Sequence, residues 1–223
     1  MSAFDFRKYL EQQDKDDELL RVKSEIDTLD DMGAFISRLD YSGLKKSVLF
    51  ENPKGFDIPV YANTVGHDPM SIARSFGVDG GGDGVLPNIA KKMGEVLQSG
   101  GIEPEVVSND EALCKEIIMT GDEVDLSVLP IPRCNPSDGQ GASTFLEGRF
   151  ITNLVASHPT PKAHNLSYHR LEVTRKNGGS IWIYRGTGDA LSMQDYWGSK
   201  IDDPEESYNP DAGKPFPIAY VFG

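Results

Sequence analysis

Cysteine is almost missing from this chain: Cys114 and Cys134 are the only two in 223 residues. So low a count excludes a disulfide framework, and without a CxxC pair there is no zinc or dithiol redox motif. Both read as ordinary thiols. Long apolar runs are missing too, none approaching the ~20 residues of a bilayer-spanning helix, so no membrane role is expected. Basic residues are scarce, with 22 Lys and Arg against 35 Asp and Glu and a net charge of −13. That balance opposes a nucleic-acid or anionic-membrane surface, since both need clustered cations. The opening MSAFDFRKYLEQQDKDDELL lacks the apolar core of a secretory signal and is too acidic for a transit peptide, so a cytoplasmic address is expected. Internal repeats, a nucleophile elbow and a zinc-type histidine pair are all absent. Small molecules and other proteins remain as partners.

What is present is globular: 38% of residues are apolar and 26% charged, near the norms of folded domains. The spacing of Phe4, Phe6, Tyr9, Leu10, Leu19 and Leu20 predicts an amphipathic helix at the start. Met32, Phe35, Ile36 and Leu39 follow a run of acids and predict a second helix. SVLFENP and DIPVYANTV read as short strands split by the turn NPKGFD. DPMSIARSFGV predicts a third helix, with Asp68 as N-cap and Pro69 at the first helical position. VLPNIAKKMGEVLQSGG predicts a fourth, stopped by paired glycines. Between these two helices VDGGGDG lacks the Lys-Ser/Thr ending of a phosphate loop and reads as a flexible connection.

After Pro104 the helical period gives way to short β-branched runs broken by Pro, Gly and Asp. EPEVVSN, CKEIIMTG, GRFITNLVAS, HNLSYHRLEVTRK and SIWIYRGTG are the main ones, and PFPIAYVFG is a further strand candidate at the end. The fold class expected is therefore α+β: a mixed α/β unit over 1–104 and a β-barrel or sandwich over 105–223.

The stretch PKAHNLSYHR concentrates polar chemistry between two apolar runs. On a strand, Asn165, Ser167 and His169 share one face while His164, Leu166, Tyr168 and Arg170 share the other, unless a bulge merges the two. An amide oxygen suits manganese or magnesium, and an arginine fork suits a carboxylate or phosphate. Together they point to an anionic ligand with a metal; the alternative is a solvated strand face. The excursion GSKIDDPEESYNPDAGK, with Glu205 and Glu206, reads as solvated charge.

LFENPKGFDIPVYANTVGHDPMSIARSFGV, DLSVLPIPRCNPSDGQGASTFLEGRFITN, NLSYHRLEV and GKPFPIAYVFG, in this order, resemble the UbiD family of prenylated-flavin-dependent decarboxylases across almost the whole chain. The resemblance implies an N-terminal α/β unit followed by a split β-barrel that holds prenylated FMN. It implies reversible, nonoxidative decarboxylation of an aromatic or α,β-unsaturated carboxylic acid, with the cofactor as electron sink. Asn165 then matches a manganese ligand bridging to the flavin phosphate, and Arg170 the arginine beside the flavin that binds cofactor and engages the substrate carboxylate and the catalytic acid. Ser167, Tyr168, His169, Trp182, Arg185 and Gly186 fall where the family lines the cofactor. A potassium ion, a homo-oligomer and a flavin prenyltransferase as cofactor supplier also follow from the resemblance.

Two departures stand against that pattern. The family's metal-binding histidine is missing from IWIYRGTGDALSM, where Asp189, or less plausibly Arg185, takes its place. The family's remaining metal glutamate and its glutamate proton donor fall beyond Gly223, so this chain is expected to be a truncated product or one part of a split enzyme. The competing expectation is a noncatalytic flavin-binding or assembly subunit completed by another chain.

Overall fold

The structure is a computed structural model and describes residues 6–64, 69–78, 84–101, 106–139, 145–146, 148–160, 163–181, 183 and 218–221. The chain divides into two compact units, Met1–Pro132 and Arg133–Gly223. In the first, helix α1 (Phe6–Lys15) leads into strand β1 (Leu19–Val22), helix α2 (Asp31–Ser42), strands β2 (Ser47–Phe50) and β3 (Val60–Ala62), and helices α3 (Pro69–Ser75) and α4 (Val85–Gln98). The sheet order is β1-β2-β3, with β1 parallel to β2 and β3 antiparallel to it. Since parallel neighbours need a long crossover, α2 supplies it. Met32 and Leu39 of α2 pack with Ile26, Val48 and Phe50 in one cluster, and Phe35 meets Phe50 edge-on at 5.5 Å. Gly43, at φ 72°, ends α2 in the left-handed conformation that glycine adopts most readily.

The opening helix is shorter than its apolar spacing predicts. It stops at Lys15, and Leu19 and Leu20 lie in β1, where they pair with Ser47 and Val48. A buried polar network ties α1 to that sheet. Gln13, 1% exposed, donates through Nε2 to Ser47 Oγ at 3.0 Å and to Tyr9 Oη at 3.1 Å. Tyr61 Oη lies 2.6 Å from Gln13 Oε1 and 2.7 Å from the Thr64 carbonyl, so its single proton serves one of them at a time. The predicted helices at Met32–Leu39, from Pro69 and from Val85 are all present; Asp68 and most of VDGGGDG lie outside the described residues.

Between residues 106 and 132 the β-branched runs form no strand. Leu113–Lys115, Gly121–Glu123 and Leu126–Val128 are single turns of 3-10 helix instead. Strand structure returns at β4 (Phe150–Thr160), followed by β5 (Ala163–Arg175), β6 (Gly178–Ile181) and β7 (Ile218–Val221). These form one antiparallel sheet in the order β6-β5-β4-β7. Val173 and Ile151 are buried in it. A mixed helix-and-sheet first unit followed by a second unit whose described elements are antiparallel strands gives an α+β protein. No helix among the described residues is long and apolar enough to cross a membrane.

Candidate functional site

Strand β5 carries the polar stretch, and its register against β4 decides which side chains share a face. Pairing runs without a shift from Phe150 opposite Glu172 to Ser157 opposite Asn165. No bulge merges the two faces here, so alternation holds. His169 is buried and Ser167 half-buried, with Ser167 Oγ 3.3 Å from His169 Nε2. Leu166, Tyr168 and Arg170 are exposed on the other side. Arg170 is thus not gathered with Ser167 and His169 on one surface.

Arg170 has its own company. Its Nη2 donates to Asp138 Oδ2 at 3.1 Å, and its guanidinium carbon sits 4.2 Å from the centre of the Phe150 ring. Thr152 is directly opposite Arg170, which makes Phe150 a diagonal neighbour on the same face. Half of the Arg170 side chain remains exposed, whereas Asp138 is 14% exposed. Asp138 belongs to a turn: its N–H donates to the Asn135 carbonyl at 3.0 Å, and the Asn135 N–H donates back to Asp138 Oδ2 at 3.2 Å.

Two glycines let this turn lie close to the strand entrance. A Cβ on Gly148, at φ 70°, would stand 2.3 Å from the Asp138 carbonyl and 2.8 Å from Arg133 Cδ. One on Gly139, at φ 66°, would stand 2.7 Å from the Gly148 backbone and 3.0 Å from Glu172 Oε1. Only glycine allows that approach. Glu172 Oε1 is buried there and takes no hydrogen bond among the described residues. Burial first, then the Asp138 carboxylate, push the Cys134 thiol up from its ordinary range, with the Arg170 charge opposing them.

Asn165 is placed by its backbone alone, opposite Ser157. Trp182, Arg185, Gly186 and Asp189 lie outside the described residues. Among the described residues no three His, Cys, Asp or Glu side chains come together as a metal site. Sequence reasoning missed Asp138 and Phe150 as partners of Arg170. The Ser-Asp-Gly turn was the available signal, but nothing in it names an arginine 32 positions away.

Comparison with known proteins places this geometry in a family. The model of the 3-octaprenyl-4-hydroxybenzoate carboxy-lyase Rift-related domain matches residues 105–223, and that of the N-terminal domain of the same carboxy-lyase matches 10–85. The chain belongs to the UbiD family. Among solved structures, the UbiD-class enzyme HmfF from Pelotomaculum thermopropionicum, in complex with FMN, is similar at 28% identity. The match has a TM-score of 0.67 over 86% of this chain and 38% of that one. The vanillic acid decarboxylase of Sedimentibacter hydroxybenzoicus in closed form is 22% identical with a TM-score of 0.73, over 87% of this chain and 40% of that one. The 3,4-dihydroxybenzoic acid decarboxylase of Klebsiella pneumoniae is 19% identical with a TM-score of 0.68, over 95% of this chain and 41% of that one. The last two show the fold alone, and the UbiD chain here spans about two-fifths of the length of these relatives.

Proposed function

We propose that this UbiD chain is the cofactor- and carboxylate-holding part of a prenylated-FMN-dependent carboxy-lyase that acts reversibly on an aromatic or α,β-unsaturated carboxylic acid. The observation that carries the reading is Arg170: a guanidinium fixed by Asp138 and Phe150, half of its side chain open, on a strand of the family domain. The FMN in the HmfF relative and the decarboxylase activities of the other two fit the same reading.

The donor set suits the proposed ligands. The Arg170 fork has five N–H groups, and among the described residues one arm donates to Asp138, which leaves other N–H groups for an anion. A carboxylate accepts two parallel bonds from such a fork, and this restricts its rotation before the C–C bond breaks. The guanidinium carbon lies 4.2 Å from the centre of the Phe150 ring, a cation–π contact that helps hold the side chain in place. When bound, the prenylated flavin supplies an electron sink for the pair left by departing carbon dioxide. The proton that replaces the carboxyl group comes from an acid other than Arg170, whose guanidinium stays charged.

Tyr168, Trp182 and Arg185 are assigned to the flavin through their side chains and Gly186 through its backbone. Ser167 and His169 lie on the opposite face of β5 from Arg170 and contribute through the strand backbone. Manganese is assigned to Asn165 and Asp189, with further ligands drawn from elsewhere in the complete enzyme. A flavin prenyltransferase supplies the cofactor, and the enzyme works as a homo-oligomer in the cytoplasm.

The test is mass spectrometry of the complete protein coexpressed with a flavin prenyltransferase, followed by carbon dioxide release from vanillate and 3,4-dihydroxybenzoate. Bound prenylated FMN is the expected result. Arg170→Lys keeps the charge but loses the planar fork, so it should retain flavin and lose most turnover. Near-normal turnover with full flavin occupancy would remove Arg170 from the chemistry, and flavin without any turnover in the unaltered protein would favour the noncatalytic reading.

A further inference from the structure

The guanidinium assigned to the substrate already holds an anion. Arg170 Nη2 donates to Asp138 Oδ2 at 3.1 Å, and that carboxylate is mostly covered while the arginine is half open. Asp138 is not free to swing aside. The Asn135 N–H holds the same oxygen at 3.2 Å, Asn135 Nδ2 lies 3.4 Å from it, and the Asp138 N–H is bound to the Asn135 carbonyl. Behind it the Asp138 carbonyl lies against Gly148, where a Cβ has no room. The Phe150 ring meanwhile holds the guanidinium by a cation–π contact, its centre 4.2 Å from the guanidinium carbon.

We propose that Asp138 is a positioning residue that acts through Arg170: it orients the fork and, as a resident counter-anion, weakens the hold on an incoming carboxylate. The inference rests on the reading of Arg170 as the carboxylate holder. Its logic comes from the charge change during decarboxylation. The substrate carboxylate is a full anion at the start and loses that charge as neutral carbon dioxide departs. A fork with no counter-anion stabilises the starting state more than the transition state, which deepens binding without speeding the step. An anion already on the fork reduces that unequal hold. Fixed on one in-plane arm, it also leaves a defined remaining edge for the substrate.

Benzoate titrated calorimetrically into the flavin-loaded complete protein tests this. Asp138→Asn keeps an oxygen to accept from Arg170 and from the Asn135 N–H, but removes the charge. It should bind benzoate roughly tenfold more tightly, the scale set by losing one like charge near the ligand. Asp138→Glu, which restores the charge, should stay within about threefold of the parent. A purely structural role predicts the opposite sign, because a damaged turn loosens Arg170 and weakens binding.

Unchanged or weaker benzoate binding by Asp138→Asn, at equal flavin content and melting temperature, overturns the inference. Asp138→Ser is the second uncharged variant should asparagine fail to fold, and the same tightening is required of it. Arg170→Ala separates the two levels of the argument. If it binds benzoate as well as the parent, the carboxylate-holder reading fails and the inference with it. If it abolishes binding while Asp138→Asn does not tighten it, only the role of Asp138 fails.

Discussion

Gly148→Ala should destabilise the second unit by about 2–5 kcal/mol, a sum of two separable effects. The first is conformational: at φ 70° an L-residue adopts the left-handed region at a cost of about 1–2 kcal/mol. The second is contact. A Cβ at 2.3 Å from the Asp138 carbonyl and 2.8 Å from Arg133 Cδ forces backbone to move, and overpacking of that kind costs about 1–3 kcal/mol. Gly43 calibrates the first effect alone, because it has φ 72° with nothing within 4 Å of a Cβ. The entropy that a Gly-to-Ala change removes from the unfolded chain is similar at both sites and cancels in the comparison. Each unit reports its own unfolding. Both tryptophans, Trp182 and Trp197, belong to the second unit, and among the described residues every α-helix belongs to the first. Urea titration followed by tryptophan fluorescence reads Gly148→Ala, and circular dichroism at the helical band reads Gly43→Ala. If Gly148→Ala costs no more than Gly43→Ala, the close crossing of the Asp138 turn and the β4 entrance is wrong.

Burial pushes the Tyr61 phenol up to about 12, with the hydrogen bonds to Ser47 and Gln13 opposing it. A raised folded pKa contributes stability that is full below the unfolded value near 10 and is lost as pH rises through 12. Tyr61→Phe should therefore flatten the alkaline limb of the stability curve and remove the ultraviolet phenolate transition near 12; loss of a transition near 10 instead would contradict the burial. In a Cys114→Ser background, the pH midpoint for alkylation of Cys134 by iodoacetamide should lie above the ordinary thiol range. Asp138→Asn should lower that midpoint and Arg170→Ala raise it, and shifts of the reverse sign would place Cys134 away from the pair.

Periodicity revealed those parts of the fold whose pattern is local. Met32, Phe35, Ile36 and Leu39 recur at helical spacing and lie in α2 with its core. Pro69 opens α3, and the paired glycines follow α4. Local pattern failed where a distant partner decided. Leu19 and Leu20 continue a plausible helical stripe, yet β2 offers them hydrogen bonds that a helix end cannot match. The β-branched runs Val106-Val107 and Ile117-Ile118 remain exposed outside any strand, because strand propensity expresses packing against neighbours and among the described residues no strand pairs with them. In the candidate site, strand alternation separated Arg170 from Ser167 and His169 correctly. The carboxylate and ring that fix Arg170 stayed hidden, since a turn motif carries no address for the side chain it will meet.

The order of strands in the second sheet also sets a sequence of events in folding. Strands β4, β5 and β6 follow one another in the chain and pair with their immediate neighbours, so each pairing closes only a short loop. Strand β7 must return from far downstream to pair with β4, from Leu154 opposite Val221 to Ser157 opposite Ile218. Such non-local pairing forms late, because the loop entropy is spent before any contact offsets it. Until β7 arrives, one edge of β4 presents unpaired N–H and C=O groups to other chains. A nascent molecule whose synthesis has passed Arg175 but not Ile218 thus carries the hairpin bearing Arg170 together with an open β4 edge, and during that interval the sheet is most exposed to edge-to-edge association.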